Sequence, residues 1–572
     1  MMRRAAAVRA GRSAKPVPAV VWSGHLWRRP WILASTLALL ALTLNLLWLK
    51  TSYMIDYDFY VWVQGAKRLQ EDGIWAAGNV YKEPLLSLLL NLVRPATGGD
   101  YEQAGKVISA GFGGLAIGLF FLLAHELFGS RVLAALAAIL LAVHPQVIYY
   151  NTHPFSEALY LCLILLSLFC FCRAHRGGSL VAAVGAGLAL GLAFLTRIPG
   201  IASALALFGL VLVGLVVNRL RPPSAVLRFV ALALGFLFLA GPYWVSIRHH
   251  KGEWRLSNKV DPNLLIREAY SAQDPAQKVE NYERLLYGQE KERASAPKES
   301  GLVTSFLQRP LPVLAAYGHQ FSLGLVMAHW VFPLFLVALG LVALAISAMA
   351  QQDARVRGVV YLSLLAPFFA YPLGHVELRY MLPLIPAFIL LALEGARWVA
   401  SAANRLIPMP AKGETKRHIS LVLCAAAAAI IVVAWSSREL VGLTRRTPWS
   451  EPIELKYAGL WLKSNAPPGA VVMARKPMPA FYADRPWVSL PYTDYAGLLQ
   501  TLEARGVSYL VIDEIFAGRL RPELRFLLYE PDRIRQLAEL VPVHVLDERR
   551  GRAVIIYRVV RERLPSRAHR AS

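Results

Sequence analysis

Two carboxylates, Asp56 and Asp58, sit between aromatic residues in the stretch SYMIDYDFYVW (residues 52–62), directly after the first long apolar run. Burying a carboxylate beside a bilayer is expensive, so such a group either caps a helix or meets partners in a wet cavity. As caps, either acid opens the helix expected over FYVWVQGAKRLQ, Asp58 more readily than Asp56. As chemical groups, they are placed to take a proton from a poor nucleophile such as a hydroxyl. Cations recur further along: Lys82 in YKEP, Arg197 in LTRIPG and Arg379 in HVELRY. A phosphate needs fixed cations, and arginine offers it a two-pronged fork. Glu83, Glu157, His153, His375 and Glu377 complete the set. Together they suit a reaction on an anionic, membrane-tethered substrate. Each also has a structural reading. Lys82 and Glu83 flank an apolar dip, Glu157 opens a helix, and Arg197 and Arg379 reach to the interface from span ends. His375 and Glu377 form a weak metal pair without fixed ligand geometry. His249 and His250 read as solvated loop.

These residues need elements to hold them. The chain has 572 residues, 56% hydrophobic and 17% charged, with repeated apolar runs long enough to cross about 30 Å of hydrocarbon. The runs predict about eleven spans, near 31–49, 106–128, 131–149, 155–172, 180–196, 200–217, 226–247, 323–349, 357–373, 379–397 and 419–436. Leu85–Val93 is too short to span and is read as an interfacial dip. The first run follows a basic arm without a small-residue cleavage site, so it is an uncleaved span. Cys162, Cys170, Cys172 and Cys424 all fall inside spans and serve as packing residues, with no disulfide or metal spacing.

The formal charge of +24 is placed largely in the N-terminal arm and in short connections, which argues for membrane orientation and against nucleic acid. With the arm 1–30 cytoplasmic, the Arg- and Lys-rich connections alternate consistently through the predicted spans. The opposite side receives the first outer loop 50–105, the large outer loop 248–322 and the C-terminal region. All the candidate residues named above then fall on that outer side. From about 437 the composition changes. AVVMARK, SYLVIDE, VPVHVLDE and RAVIIYRVV read as strands, and IELKYAGLWLKSNAPPG and YTDYAGLLQTLEARG as helices. The architecture expected is an all-α polytopic membrane domain over 31–436, followed by a small extracytoplasmic α/β domain over 437–572.

In this order the motifs resemble the GT-C glycosyltransferases of the protein-O-mannosyltransferase and aminoarabinose-transferase type, a superfamily that includes galacturonosyltransferases acting on lipopolysaccharide. Asp56 followed by Tyr60, YKEPLLSLLL, Glu157 in FSEALYL, GLAFLTRIPG and HVELRYMLPLIPAFILLA are similar to the family's motifs over roughly 31–400. Tyr57 replaces an acid usual in the family, which leaves Asp58 a second contender for the family's general base. The resemblance implies a polyprenyl-phosphate sugar donor and transfer to a hydroxyl of a lipid, glycan or protein, with inversion. It makes Asp56 the general base, Lys82, Arg197 and Arg379 the holders of the leaving phosphate, and Glu157, Tyr60 and Glu83 residues that orient acceptor or metal. No cofactor is certain; a divalent metal stays open. The implied location is a bacterial inner membrane with a periplasmic site, and loop 248–322 is expected to cover the site and exclude water. Two other classes remain: a transporter or flippase of an anionic lipid or sugar, and a non-catalytic assembly subunit. A transporter places its charges near the bilayer midplane, often in repeated halves. Here they sit at span ends, and no repeat stands out.

Overall fold

The computed structural model describes residues 29–217, 223–259, 310–350, 352–406, 413–547 and 549–564. The basic arm, apart from its last two residues, and most of the expected covering loop lie outside the described residues. The helices of the membrane domain are α1 (Pro30–Trp48), α2 (Tyr57–Asp72), α3 (Leu85–Val93), α4 (Tyr101–Phe128), α5 (Arg131–Ala142), α6 (Pro145–Thr152), α7 (Glu157–Gly177), α8 (Leu180–Thr196), α9 (Pro199–Val217) and α10 (Pro223–Lys251). They continue as α11 (Pro310–Val331), α12 (Leu334–Ala350), α13 (Gln352–Ala370), α14 (Ile385–Leu406) and α15 (Gly413–Thr444). Among the described residues nine helices are long and apolar enough to cross a membrane, ten if α5 and α6, bent by 61° at their break, form one span. Helices α8 and α12 are shorter and apolar.

One expected span is corrected. The run 323–349 is two helices, α11 and α12, broken at Phe332 and Pro333. Proline lacks the N–H a continuing helix needs, and its ring clashes with the preceding turn. Hydropathy does not register that break, because proline leaves the apolar run intact. Pro383 has a related effect: the stretch Leu378–Leu384 is a 3₁₀ turn, and the regular helix starts only at Ile385. His249 and His250, expected in a loop, instead form the last turn of α10.

Small residues bring the helices together, as expected where lipid tails are as apolar as the side chains. In α4, Gly114 and Gly118 sit against the backbone of α1 at Ala38 and Ala34, and a Cβ on either would approach a carbonyl oxygen to 3.0 or 2.9 Å. A Cβ on Gly187 of α8 would lie 2.0 Å from the Leu232 oxygen of α10, and one on Gly340 of α12 2.0 Å from the Leu391 oxygen of α14. The four cysteines are free and lie within these helices.

Beyond α15 come α16 (Glu454–Asn465), β1 (Val472–Ala474), α17 (Met478–Ala483), β2 (Trp487–Ser489), α18 (Tyr495–Ala504), β3 (Tyr509–Asp513), β4 (Leu540–Leu546) and β5 (Val554–Val559). The sheet order is β2-β1-β3-β5-β4. Strands β2, β1 and β3 are parallel; β5 runs antiparallel to β3 and to β4. All four expected strands are present. The three-residue β2, broken off by Pro486, was too short for its alternation to be read. Gly506 ends the α18 region at a φ of +59°, a backbone geometry that favours glycine.

Candidate active site

The site is built where the chain leaves α1. Residues Ser52–Ile55 run between two rows of partners. On one side Lys106 of α4 donates to the Ser52 carbonyl at 2.8 Å while pairing with Glu102 at the same distance. On the other, Lys456 of α16 donates to the Tyr53 carbonyl at 2.8 Å, and the Glu451 carboxylate accepts from Met54 N–H at 3.0 Å. The Tyr482 hydroxyl of α17 accepts from Ile55 N–H at 2.8 Å and donates to Glu102 at 2.9 Å. A short polar segment is thereby fixed by side chains from both domains, and the next residue is Asp56. Replacing Tyr482 by Phe leaves the buried Ile55 N–H unpaired, a cost of about 1–3 kcal/mol, expected as a lowered melting temperature of the purified chain.

Asp56 is the N-cap of α2, with its Oδ1 accepting from Tyr57 N–H at 2.6 Å; Asp58 lies in the first turn. The capping role expected more readily of Asp58 thus belongs to Asp56. The reason is what Asp58 meets instead. Its carboxylate pairs with Lys82 Nζ at 2.5 Å and with the Arg379 guanidinium. Burial alone would raise the Asp58 carboxyl, but Lys82 and then Arg379 overcome it and hold the group well below the usual carboxylate range. Asp56 behaves in the opposite way. Its side chain is exposed at the rim, yet enough protein surrounds the carboxyl to raise it, and the negative charge of Asp58 raises it further. Two acids two residues apart are thus separated in basicity by their surroundings.

Lys82 stands just before α3, buried, with its ammonium 3.8 Å from the ring centre of Trp62. Burial pushes it down to about 7, against the opposing pull of Asp58. Glu83 beside it is buried and accepts from the Ser257 hydroxyl at 2.8 Å. At the other wall, Arg197 caps the end of α8 and donates to Glu157 at 2.5 Å and to the Ser156 hydroxyl at 3.0 Å. Glu157, 1% exposed, holds that guanidinium with one oxygen, while the other accepts from the Ser156 hydroxyl at 3.4 Å. Arg379 also meets Glu377 at 2.5 Å. The ring of Tyr380 lies between the two guanidinium groups, 5.7 Å from Arg197 and 5.5 Å from Arg379.

Asp58, Lys82, Glu83, Arg197, His375 and Tyr380 line one cavity of about 120 Å³. Lys259 lines it too. Sequence reasoning missed Lys259 because it lies in a polar loop with no motif around it; it also missed Glu451, Lys456 and Tyr482, which act from the C-terminal domain. Of the residues expected at the site, Tyr60 is brought elsewhere: buried, its ring packs edge-on to Trp487 of β2 at 5.5 Å. His153 faces Glu451 at 3.3 Å rather than the cavity. His249 and His250 are exposed at the end of α10.

The residues present do not fit a resident metal. Glu377 is already shared by Arg379 and His375, with His375 Nε2 3.0 Å from the carboxylate and 3.0 Å from the Tyr380 hydroxyl. Among the described residues no three His, Cys, Asp or Glu side chains converge as a metal site needs. Fixed ammonium and guanidinium groups occupy the place where a cation would act.

The fold has counterparts among solved structures. ArnT from Cupriavidus metallidurans bound to undecaprenyl phosphate matches with a TM-score of 0.53 and 16% identity, covering 94% of this chain and 99% of that one. The Archaeoglobus fulgidus oligosaccharyltransferase tethered with an acceptor peptide matches with a TM-score of 0.51 and 14% identity, covering 84% of this chain and 69% of that one. The family model of dolichyl-phosphate-mannose-protein mannosyltransferases matches residues 82–244, which include Lys82, Glu83, Glu157 and Arg197 but neither aspartate nor Arg379. No curated protein matches the sequence. The protein is an integral membrane protein with the GT-C fold. The resemblance to GT-C glycosyltransferases, read first from its motifs, extends to the architecture of nearly the whole chain.

Proposed function

We propose that the protein is a membrane glycosyltransferase that moves a sugar from a polyprenyl-phosphate donor to an acceptor hydroxyl, with Asp56 as general base. The observation that carries this reading is the convergence of Lys82, Arg197 and Lys259 on the lining of one cavity, with Arg379 joined to its wall through Asp58. Asp56, two residues from Asp58 and raised in basicity, lines a separate cavity with His153 and Glu451. In the reaction the acceptor oxygen attacks the anomeric carbon from the side opposite the phosphate. The bond from that carbon to the phosphate oxygen breaks, its electron pair stays on the phosphate, and the acceptor proton passes to Asp56. Negative charge grows on the leaving oxygen, where preorganised cations lower the barrier most. Asp58 holds Lys82 and Arg379 in place, and Glu157 does the same for Arg197. The undecaprenyl phosphate bound in the neighbouring ArnT structure, the group such a donor would leave behind, supports the substrate class. The positive-inside pattern supports a site on the outer face of a plasma membrane, with the C-terminal domain on the same side.

The test is purified full-length chain in vesicles with a radiolabelled polyprenyl-phosphate sugar and cell-envelope extract as acceptor. Label is expected in envelope material, with release of free polyprenyl phosphate. Donor moved intact across the vesicle membrane, with no bond broken, would instead establish a transporter and end the proposal.

A further inference from the structure

A second cavity, of about 810 Å³, lies at the opposite end of the bundle. Its walls come from the ends of α7, α8, α9, α10 and α13. Most of the lining is apolar, including Leu210, Val213, Val356 and Val359, and two arginines, Arg228 and Arg355, lie among these residues. Val213 is more than half exposed, so the cavity opens sideways toward the surface that hydrocarbon covers. Arg228 is half-buried and, among the described residues, makes no ion pair. Arg355 donates its Nε to the Ala348 carbonyl at 3.1 Å. Nearby lie Arg176, which is paired with Glu126 at 3.2 Å, and Asp353, so the two lining arginines face one carboxylate and the balance is positive. Along α7 the distance from Glu157 to the lining residue Ala174 is about 25 Å. The cavity is therefore separate from the site already described.

We infer that this groove binds one anionic phospholipid, its phosphate between Arg228 and Arg355 and an acyl chain along Leu210, Val213, Val356 and Val359. A soluble anion has no use for the apolar wall, and a protein or nucleic-acid partner would have to enter hydrocarbon to reach it. A membrane lipid is already there. Basic pockets between helix ends are suited to acidic headgroups, and the volume is in the range of ligand cavities. A prenyl-phosphate donor at this end would lie too far from Asp56 and Lys82 to react, so the groove takes a resident lipid rather than the reacting one. The occupant ties the ends of α9, α10 and α13 together.

Native mass spectrometry of the full-length chain with added phosphatidylglycerol tests this. One retained phosphatidylglycerol is expected, and phosphatidylcholine should be retained far less. The double variant Arg228→Gln, Arg355→Gln should lower retention roughly 25-fold, roughly fivefold for each arginine. Val359→Trp, which fills the groove and keeps both arginines, should lose the lipid as well, and Arg228→Lys, Arg355→Lys should keep it. Equal retention in wild type and both disrupting variants would overturn the inference. So would equal binding of phosphatidylcholine. Displacement of the phospholipid by an equimolar amount of undecaprenyl phosphate would overturn the choice of occupant. None of these readouts depends on sugar transfer, so the outcome is independent of the proposed activity.

Discussion

Asp56→Asn is expected to reduce sugar transfer by about 10²–10⁴-fold, the contribution of a positioned general base, while binding of the prenyl-phosphate donor stays within a small factor of wild type. Asparagine keeps the cap, because its side-chain oxygen still accepts from Tyr57 N–H, so α2 should start at the same residue and the melting temperature should barely move. Asp58→Asn gives a different signature. It leaves Lys82 and Arg379 facing one another across a mostly buried site without their shared carboxylate. Breaking one partner out of a buried pair costs about 3–5 kcal/mol, so this variant should lose stability and donor binding together. Initial rates, donor Kd and melting temperature on the same two proteins separate the roles. Should Asp58→Asn melt normally and lose only turnover, with Asp56→Asn remaining active, the assignment of base moves from residue 56 to residue 58.

The difference between those two acids shows where sequence reasoning ends. Composition and apolar period placed nearly every helix, because a span must be apolar along its whole length and nothing else in a chain looks like that. The dip at Leu85–Val93 was legible to the residue, since Tyr81, Lys82 and Pro84 mark one end and Arg94 and Pro95 the other. Lys82, Glu157, Arg197 and Arg379 could be gathered on one face by counting spans. Which partners they touch could not, because the pairings run between residues 24 to 321 positions apart. Glu157 illustrates the limit. Its position at a helix start suggested a dipole partner or a ligand to acceptor or metal, yet it is paired with Arg197. The segment before Asp56 was opaque for a related reason: Lys106, Glu451, Lys456 and Tyr482 reach it from elements far away in the chain, and none carries a motif of its own. The break at Pro333 was legible in principle, but apolar run length was weighed above the missing N–H.

Lys82→Met is expected to lower kcat/KM by about 10²–10³-fold, because it removes a preorganised cation from the oxygen on which charge develops. Methionine is of similar length and can fill the space against Trp62, so the loss reports charge rather than a hole. The pH profile gives a sharper reading. In the free protein burial holds the Lys82 ammonium at about 7. As pH rises through that value the ammonium loses its proton and the phosphate loses its partner, so kcat/KM should fall on the alkaline side. On the acid side kcat/KM falls as Asp56 becomes protonated, at a higher pH than for an ordinary aspartate, because surrounding protein and Asp58 have raised it. The profile is a bell between those two groups. Bound donor places a phosphodiester monoanion beside Lys82 and favours its charged form, so the alkaline limb should move to higher pH in kcat, which reports the complex, than in kcat/KM, which reports the free protein. Lys82→Met should erase the alkaline limb near 7 and leave the acid limb in place. An alkaline limb unchanged in that variant would assign the titration to another group and take Lys82 out of the phosphate site.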